Sequence, residues 1–291
     1  MSEPRRHHYV PQFLIREFAG RDRQVYVLKR EGEAPIHVPR RRPPKSAFHE
    51  FDLYAMERAD GTKDQLIESK FLSRVDEVAA RVYREIVRIV RQGSVPTMSE
   101  ATHRNFMDLY RLAFSRAPDA LARTAQTIDV EEAVRRTLQK VEEAGGDVEA
   151  ERARLNDPKV REREFRNAIA QARVRSAPET VNRIARLKIL FGHCHGHDRR
   201  FVLSDRMIDG AGLLGEDTKP DPAPQLWFPI APDVAFKPIE GRNQVRVLSI
   251  EEVHAINRRL YLQSRWVAAT AREQLARLAR EIEPERMEGW E

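Results

Sequence analysis

The sequence lacks several features that would have indicated a class of protein. Among its 291 residues there is one cysteine, Cys194, which excludes an internal disulfide framework and fits a reducing compartment. No stretch approaches the roughly 18 consecutive apolar residues that a transmembrane helix needs. The opening residues, MSEPRRHHYVPQF, lack the apolar core of a signal peptide. We therefore expect a cytoplasmic protein without a membrane partner.

Familiar nucleotide-binding and hydrolase motifs are also missing. The sequence contains no P-loop, no dinucleotide-binding fingerprint and no set of protein-kinase motifs. Ser204 does not lie in the Gly-x-Ser-x-Gly setting that marks a hydrolase nucleophile. Function must therefore be argued from single residues and short clusters.

What the sequence has in abundance is charge. Charged residues make up 33% of the chain, yet 41% of the residues are hydrophobic, and these recur at helical spacing. The formal net charge is +6, which suits an anionic partner wherever the cations cluster. We expect a single α+β domain over residues 1–291, predominantly helical, with a small β-hairpin and short strands packed on a helical body.

The first half of the chain contains one predicted hairpin and two predicted helices. Apolar runs at 25–28 and 36–38, separated by a turn-prone segment, predict the hairpin. Apolar residues that step by three or four predict one amphipathic helix over 63–91. A second helix follows Ser99, a residue suited to cap it.

The second half alternates between charged helices and short strands. Residues 129–176 predict two charged helices, split at 144–147, that project from the body as a helical hairpin. We predict a helix from 178 to about 190, a strand at 201–203, strands in LWFPI and VRVLSI, and a closing helix over 250–282.

The opening motif, together with patches farther along, resembles a known bacterial family. The matching segments are HHYVPQF at 7–13 with Arg16 and Phe18, FDLY at 51–54, ESKFLSRVDE at 68–77, VLSD at 202–205, FPIAP at 228–232, and Asn257. They make the chain similar to domain of unknown function family 4238. The pattern departs after Asp205, where Asn-Pro is expected and Arg206 and Met207 stand. The resemblance implies a fold more than an activity.

The paired histidines of the motif allow two interpretations. In an extended stretch ahead of Pro11, only one of His7 and His8 can face inward. A buried, hydrogen-bonded histidine would pin the amino-terminal arm to the core. Alternatively, His8 is a metal ligand or general base, because neutral imidazole suits both roles.

Carboxylates elsewhere are candidates to act with His8. Asp205 ends a predicted strand, where it could ligate a metal or activate water, or accept backbone N–H groups as a turn cap. On one helix, Glu68 and Asp76 lie about 12 Å apart along the axis, too far to share one ion readily. One of them could orient His8 while the other pairs with an arginine, or both could form salt bridges at the solvent edge of the apolar stripe.

Two further clusters complete the candidate sites. HCHGHD offers His193, His195 and His197, with Cys194 between them, as zinc ligands, although two glycines favour a surface loop. The tightest basic run offers possible phosphate contacts or a solvated loop. Its cations are Arg40, Arg41, Arg42 and Lys45.

Two functions from different classes fit these residues. The first is a metal-dependent hydrolase of phosphodiesters in nucleic acid, with His8, Asp205 and Glu68 catalytic and a divalent metal (Mg²⁺, Mn²⁺ or Zn²⁺) on His8 and Asp205. The second is a non-catalytic module that binds nucleic acid or protein and whose histidines are structural. We favour the first as a hypothesis, because inward-facing His and Asp are poor choices for mere packing.

Overall fold

The computed structural model describes residues 6–30, 32, 34, 36–117, 129–172, 178–210 and 226–287. The fold is α+β and predominantly helical, with 51% helix and 18% strand. Within the described ranges, no helix has the length and apolar character needed to span a membrane.

Along the chain, most of the helices come after a first group of strands and before a second group. In chain order, they are α1 (Gln12–Glu17), α2 (Ser73–Arg91), α3 (Glu100–Arg116), α4 (Val130–Glu143), α5 (Val148–Asn156), α6 (Pro158–Ala172), α7 (Pro178–Arg186), α8 (Ile250–Gln263) and α9 (Arg272–Ile282). A π-helical segment, Ile67–Leu72, leads directly into α2. Short 3₁₀ turns cover Pro44–Ser46 and Pro284–Arg286.

Twelve strands are present in the described part of the chain. They are β1 (Arg6–His8), β2 (Val25–Lys29), β3 (Arg40–Arg42), β4 (His49–Phe51), β5 (Met56–Glu57), β6 (Lys63–Asp64), β7 (Lys188–His193), β8 (Leu203–Ser204), β9 (Phe228–Ala231), β10 (Val234–Ile239), β11 (Gln244–Val247) and β12 (Trp266–Ala269).

These strands form two four-stranded sheets and two small ribbons. One sheet has the order β3-β2-β12-β8 and is antiparallel throughout. The other has the order β11-β7-β10-β9, in which β11 runs parallel to β7. Strands β1 and β4 pair as one ribbon, and β5 and β6 as the other.

The core extends over both four-stranded sheets, and one aromatic part of it lies where helices α2 and α3 meet the second sheet. The Phe236 ring lies 5.4 Å from Phe228, 5.7 Å from Phe106 and 5.6 Å from Tyr110, measured between ring centroids. Tyr83 on α2 donates its buried hydroxyl to the carbonyl of Ile230. Since buried aromatic rings remove large apolar areas from water, this cluster supplies much of the packing energy.

The predicted cap of α3 is confirmed, but the first predicted hairpin has the wrong second strand. Ser99 accepts a hydrogen bond from the Thr102 N–H at 3.2 Å. Strand β2 pairs with Arg40–Arg42 rather than with 36–38. The apolar pattern predicted the wrong strand because the true edge strand carries arginines. Their long side chains lie over a sheet face instead of entering the core.

Two predicted helices were also too long. The helix expected over 63–91 begins at Ile67, because Lys63–Asp64 pairs with Met56–Glu57 as a ribbon. The closing helix expected over 250–282 is interrupted by β12. Trp266–Ala269 is apolar, and its pairing with both β2 and β8 outweighs its helical spacing.

The segment predicted as two helices over 129–176 contains three helices in its described part, α4, α5 and α6. Asp129 and Asp147 cap the first two with their side chains, and Pro158 begins the third. The second break comes at Asp157, just before this proline, as the restriction on pre-proline residues favours. Asn167 on α6 donates to the Glu57 carbonyl at 2.8 Å, which ties these helices to the β5–β6 ribbon.

Strand prediction in the second half was incomplete. LWFPI and VRVLSI contribute β9 and β11, as predicted, but β7 and β10 were missed and β8 lies at Leu203–Ser204 rather than 201–203. The helix predicted to reach about residue 190 ends at Arg186. Gly192 lies inside β7, where a Cβ atom would come within 2.6 Å of the Leu248 side chain.

Candidate functional site

The two histidines of the opening motif point to opposite faces of β1, and His7 is the buried one. It is 1% exposed, and its Nδ1 accepts the Tyr54 backbone N–H at 2.9 Å. The two rings stack with 5.7 Å between centroids. His7 therefore fastens the amino-terminal strand to the FDLY segment that contains Tyr54.

His8 is half-buried and faces a second histidine. Its ring centroid lies 5.8 Å from that of His49, the residue opposite it on β4. The Gln12 side-chain nitrogen lies 3.2 Å from His8 Nδ1. Burial, followed by the proximity of His49, lowers the pKa of His8 to about 4, so the imidazole is neutral at pH 7.

Asp76 pairs with a buried arginine, and Glu68 lies near enough to this arginine to feel its charge. Arg116, at the end of α3, is 2% exposed, and its guanidinium lies 2.7 Å and 3.0 Å from the two oxygens of Asp76. Burial raises the pKa of Glu68 to about 7; Arg116 opposes this rise and Asp76 adds to it. Tyr54 connects this group to His7, because its hydroxyl donates to the Arg116 carbonyl at 3.4 Å. We call these residues the Arg116 cluster.

The raised pKa of Glu68 predicts a measurable pH dependence of stability. Its ordinary value is 4.5 and its folded-state value about 7, so the folded protein holds this proton more tightly than the unfolded chain. The resulting stabilisation is complete below the ordinary pKa and is lost as the pH rises through the folded value.

Between low and high pH, we expect the free energy of unfolding of Glu68→Gln to fall by about 2 kcal/mol less than that of the wild type. This figure allows for the partial exposure of the carboxyl. Urea unfolding at about pH 5 and about pH 8 measures it. Glu77→Gln, an exposed position on the same helix, is the control and should leave the dependence intact. Equal pH dependence in wild type and Glu68→Gln would contradict the prediction.

Asp205 behaves as a buried cap. It is 2% exposed, and its Oδ2 accepts the backbone N–H groups of Arg265 and Trp266 at 3.2 Å and 3.3 Å. Burial raises its pKa to about 6, against the effect of these hydrogen bonds and of the Ser264 hydroxyl. The carboxylate therefore fixes the start of β12, which is the turn-cap alternative considered for it from the sequence.

The HCHGHD segment is a strand end followed by a turn, not an extended run. His193 closes β7 and is 8% exposed, and the His197 N–H donates to the Cys194 carbonyl at 3.1 Å. Burial raises the pKa of the Cys194 thiol to about 11, which disfavours the thiolate that a metal needs. His195 Nδ1 lies 3.5 Å from an oxygen of Asp233.

The candidate catalytic residues have different neighbours. His8 contacts His49 and Gln12, Glu68 lies beside Arg116, and Asp205 caps β12. In the described part of the chain, no group of three or more His, Cys, Asp or Glu side chains is arranged to hold a metal ion. A divalent metal on His8 and Asp205, or on the HCHGHD histidines, stays a prediction without support from this geometry.

A basic surface forms on one face of the sheet that contains β3. Arg40 lies opposite Val27, Arg42 opposite Val25, and Trp266 opposite Lys29. Since alternate residues of a strand share a face, Lys29, Arg40, Arg42 and Trp266 project from the same side. The Lys29 ammonium and the Arg42 guanidinium lie 5.3 Å and 5.8 Å from the Trp266 ring centroid.

Arg41 belongs to the opposite face and pairs with Asp22. Among the residues that the structure describes, Arg40, Arg42 and Lys45 form no ion pair with a carboxylate. The basic run predicted as an extended loop is therefore mostly an edge strand, with Arg40 and Arg42 on one face and Arg41 on the other.

A cleft of about 280 Å³ opens between this sheet face and the β1–β4 ribbon. Three of its lining residues are aromatic: Tyr9 of the opening motif, Phe48 and Trp266. The remaining lining residues are Val27, Lys29, Arg42, Ser46, Ala47, His49, Glu50 and Arg265. We call this space the Trp266 cleft; its three cations outnumber its single carboxylate.

The basic surface continues from the cleft along the β1–β4 ribbon. The His49 ring lies 5.8 Å from that of Phe51, and the Arg6 guanidinium lies 5.8 Å from the Phe51 centroid. Burial, then the charges of Arg6 and Arg42, lowers the pKa of His49, which shows that both cations lie near it. We call the surface formed by Arg6, Phe51, His49, Arg42, Trp266 and Lys29 the basic strip.

The sequence indicated Arg42 as a cation of this surface but missed its aromatic residues. Trp266 was assigned to a helix, His49 carries no motif, and Phe51 was noted only as the first residue of the FDLY segment. The family model described as "Protein of unknown function (DUF4238)" matches residues 6–275. The chain belongs to this family. No curated protein and no solved structure matches it.

In this DUF4238 chain, the resembling segments have structural explanations. HHYVPQF supplies the anchor His7 and the cleft residue Tyr9, ESKFLSRVDE supplies the acids of the Arg116 cluster, and VLSD supplies the cap Asp205. Asn257 is a buried bridge whose side chain accepts the Val202 N–H and donates to the Arg200 carbonyl.

Proposed function

We propose that this DUF4238 protein binds nucleic acid through the basic strip. The observation that carries the proposal is the position of Lys29 and Arg42 over the ring of Trp266, at the mouth of a cleft. Cations beside a partly exposed aromatic ring suit a ligand that combines phosphates with flat bases.

Charge supports this choice over an uncharged ligand. Lys29, Arg42 and Arg265 line the cleft with a single carboxylate, Glu50, and Arg40 projects from the same sheet face. Contacts between such cations and phosphates release counterions, which supplies most of the free energy of binding without sequence selectivity. Guanidinium groups also form paired hydrogen bonds with phosphate oxygens.

The geometry favours binding over hydrolysis. The residues considered for catalysis each have a separate structural explanation: His8 lies beside Gln12, Glu68 belongs to the Arg116 cluster, and Asp205 caps β12. Metal-dependent hydrolysis of phosphodiesters therefore stays a prediction. We keep the cytoplasm as the proposed compartment, because Cys194 is a buried free thiol.

The test compares two adjacent arginines on opposite faces of β3. We expect Arg42→Gln to weaken the binding of a fluorescently labelled oligonucleotide roughly fivefold and to reduce the slope of log affinity against log salt by about one. Arg41→Gln, whose side chain pairs with Asp22 on the other face, should change neither quantity.

Anisotropy titrations over about 50 to 200 mM salt measure both affinities. Equal effects of Arg41→Gln and Arg42→Gln would show that the basic strip is not the binding site. No binding of single- or double-stranded DNA or RNA by the wild type would contradict the proposal itself, and would leave a protein partner as the remaining binding hypothesis.

A further inference from the structure

The basic strip carries three aromatic rings beside its cations. Phe51 is 58% exposed, although a phenylalanine of this size is usually buried in a core. His49 contacts Phe51 and also lines the Trp266 cleft, so the three rings follow one another along the surface. Phosphate contacts alone need no aromatic surface, and these rings therefore call for a second kind of contact.

Single-stranded nucleic acid offers that contact and duplex does not. In a duplex, the faces of the bases are stacked on one another, and a protein surface reaches only their edges and the phosphates. In a single strand, the base faces are open and stack on aromatic side chains while cations follow the backbone. A surface on which aromatic rings alternate with arginines is therefore the one expected for single-stranded nucleic acid.

The Trp266 cleft is suited to hold one such base. It is concave and lined by the rings of Tyr9, Phe48 and Trp266, and Lys29 and Arg42 lie at the tryptophan ring. A base that enters displaces flexible cationic side chains, which can then contact the flanking phosphates.

The tryptophan backbone is held firmly in this position. The buried carboxylate of Asp205 accepts the Trp266 N–H, and β12 pairs with strands on both sides. A residue whose backbone is fixed in this way loses little backbone entropy when a base stacks on its ring, which favours binding.

We propose that the basic strip is a site for single-stranded nucleic acid, in which one base stacks on Trp266 within the cleft and the strand continues along His49 toward Phe51. This inference rests on the proposed nucleic-acid binding and specifies its ligand. Oligonucleotides of the same sequence in DNA and in RNA test which sugar the site prefers.

The experiment measures the affinity of the full chain for labelled single-stranded and duplex oligonucleotides. We expect at least tenfold tighter binding of the single strand at the same salt concentration. Trp266→Leu should weaken single-strand binding about tenfold, since stacking of one base is worth about 1 to 3 kcal/mol. It should leave the salt slope unchanged, whereas Arg42→Gln reduces that slope.

The controls separate stacking from folding. Phe71→Leu changes another partly exposed aromatic residue, 39% exposed on the π-helical segment, and should not alter affinity. Trp266→Phe keeps a flat ring and should retain most of the binding. Phe51→Leu changes an exposed side chain, where a substitution costs little stability. It should weaken single-strand binding severalfold even if Trp266→Leu proves unstable.

The outcomes distinguish this inference from the proposed function. Equal or tighter binding of duplex, or single-strand binding that neither Trp266→Leu nor Phe51→Leu weakens, would overturn the inference and leave phosphate-driven binding in place. Absence of binding to every oligonucleotide would contradict the proposed function as well.

Discussion

Asp76→Ala should lower the free energy of unfolding by about 3 to 5 kcal/mol, which is the usual cost of removing one partner from a buried ion pair. Arg116 is 2% exposed, and Asp76 lies 2.7 Å from its guanidinium. The variant leaves that cation in a low-dielectric interior with Glu68 as its remaining nearby carboxyl, whose own pKa is raised to about 7. The loss should therefore be largest at low pH, where Glu68 is protonated.

Urea denaturation followed by circular dichroism measures the change, and Glu77→Ala is the matched control. Glu77 lies one position further along the same helix, 72% exposed in a surface pair with Arg81, and its replacement should cost less than about 0.5 kcal/mol. Replacing Asp76 and Arg116 together by Leu and Met should recover much of the loss, because no unpaired charge remains. Equal stability of Asp76→Ala and Glu77→Ala would contradict this account of the Arg116 cluster.

His7→Ala should destabilise the protein by about 2 to 4 kcal/mol, while His8→Ala costs about 1 kcal/mol or less. The His7 variant removes the acceptor of a buried Tyr54 N–H and leaves a cavity where the two rings stack. His8 is half-buried and has Gln12 as its side-chain neighbour. Its removal therefore exposes less buried surface than the removal of His7.

Thermal and urea unfolding of the two variants under identical conditions tests this contrast. The sequence left open which of the two histidines is the buried anchor, and it gave the catalytic hypothesis to His8. If His8→Ala proves the more destabilising change, then His8 is the anchor, and the role of His7 described above is wrong.

The local pattern of apolar residues was enough to predict much of the helical structure. The helix after Ser99 and its buried stripe followed from spacing, since a helix repeats its inward face every three or four residues. Spacing failed where a strand pairing competed with it, as at Trp266–Ala269, and where the edge strand Arg40–Arg42 lacks apolar residues. Propensity is a weak prior wherever distant backbone hydrogen bonds are available.

The alternation of a strand determined that His7 and His8 must face opposite ways, but not which of them would be buried. That choice depended on the pairing of β1 with β4 and on Tyr54 reaching His7. In the same way, Glu68 and Asp76 could be identified as carboxylates on one segment, whereas their shared Arg116 comes from the next helix. Burial and pKa therefore followed from packing between elements.

By itself, the sequence determined the family, the helical content, the free cysteine and the charge available for an anionic ligand, because these are read from residues close together in the chain. Only the tertiary structure decided where that charge lies on the surface. Arg42 reaches the Trp266 ring across more than two hundred residues of sequence, through the pairings of β3 with β2 and of β2 with β12, which no local pattern specifies. Arg6 reaches Phe51 through the pairing of β1 with β4. Side chains meet on a sheet face according to register, and register is set by the whole packed core rather than by any one strand.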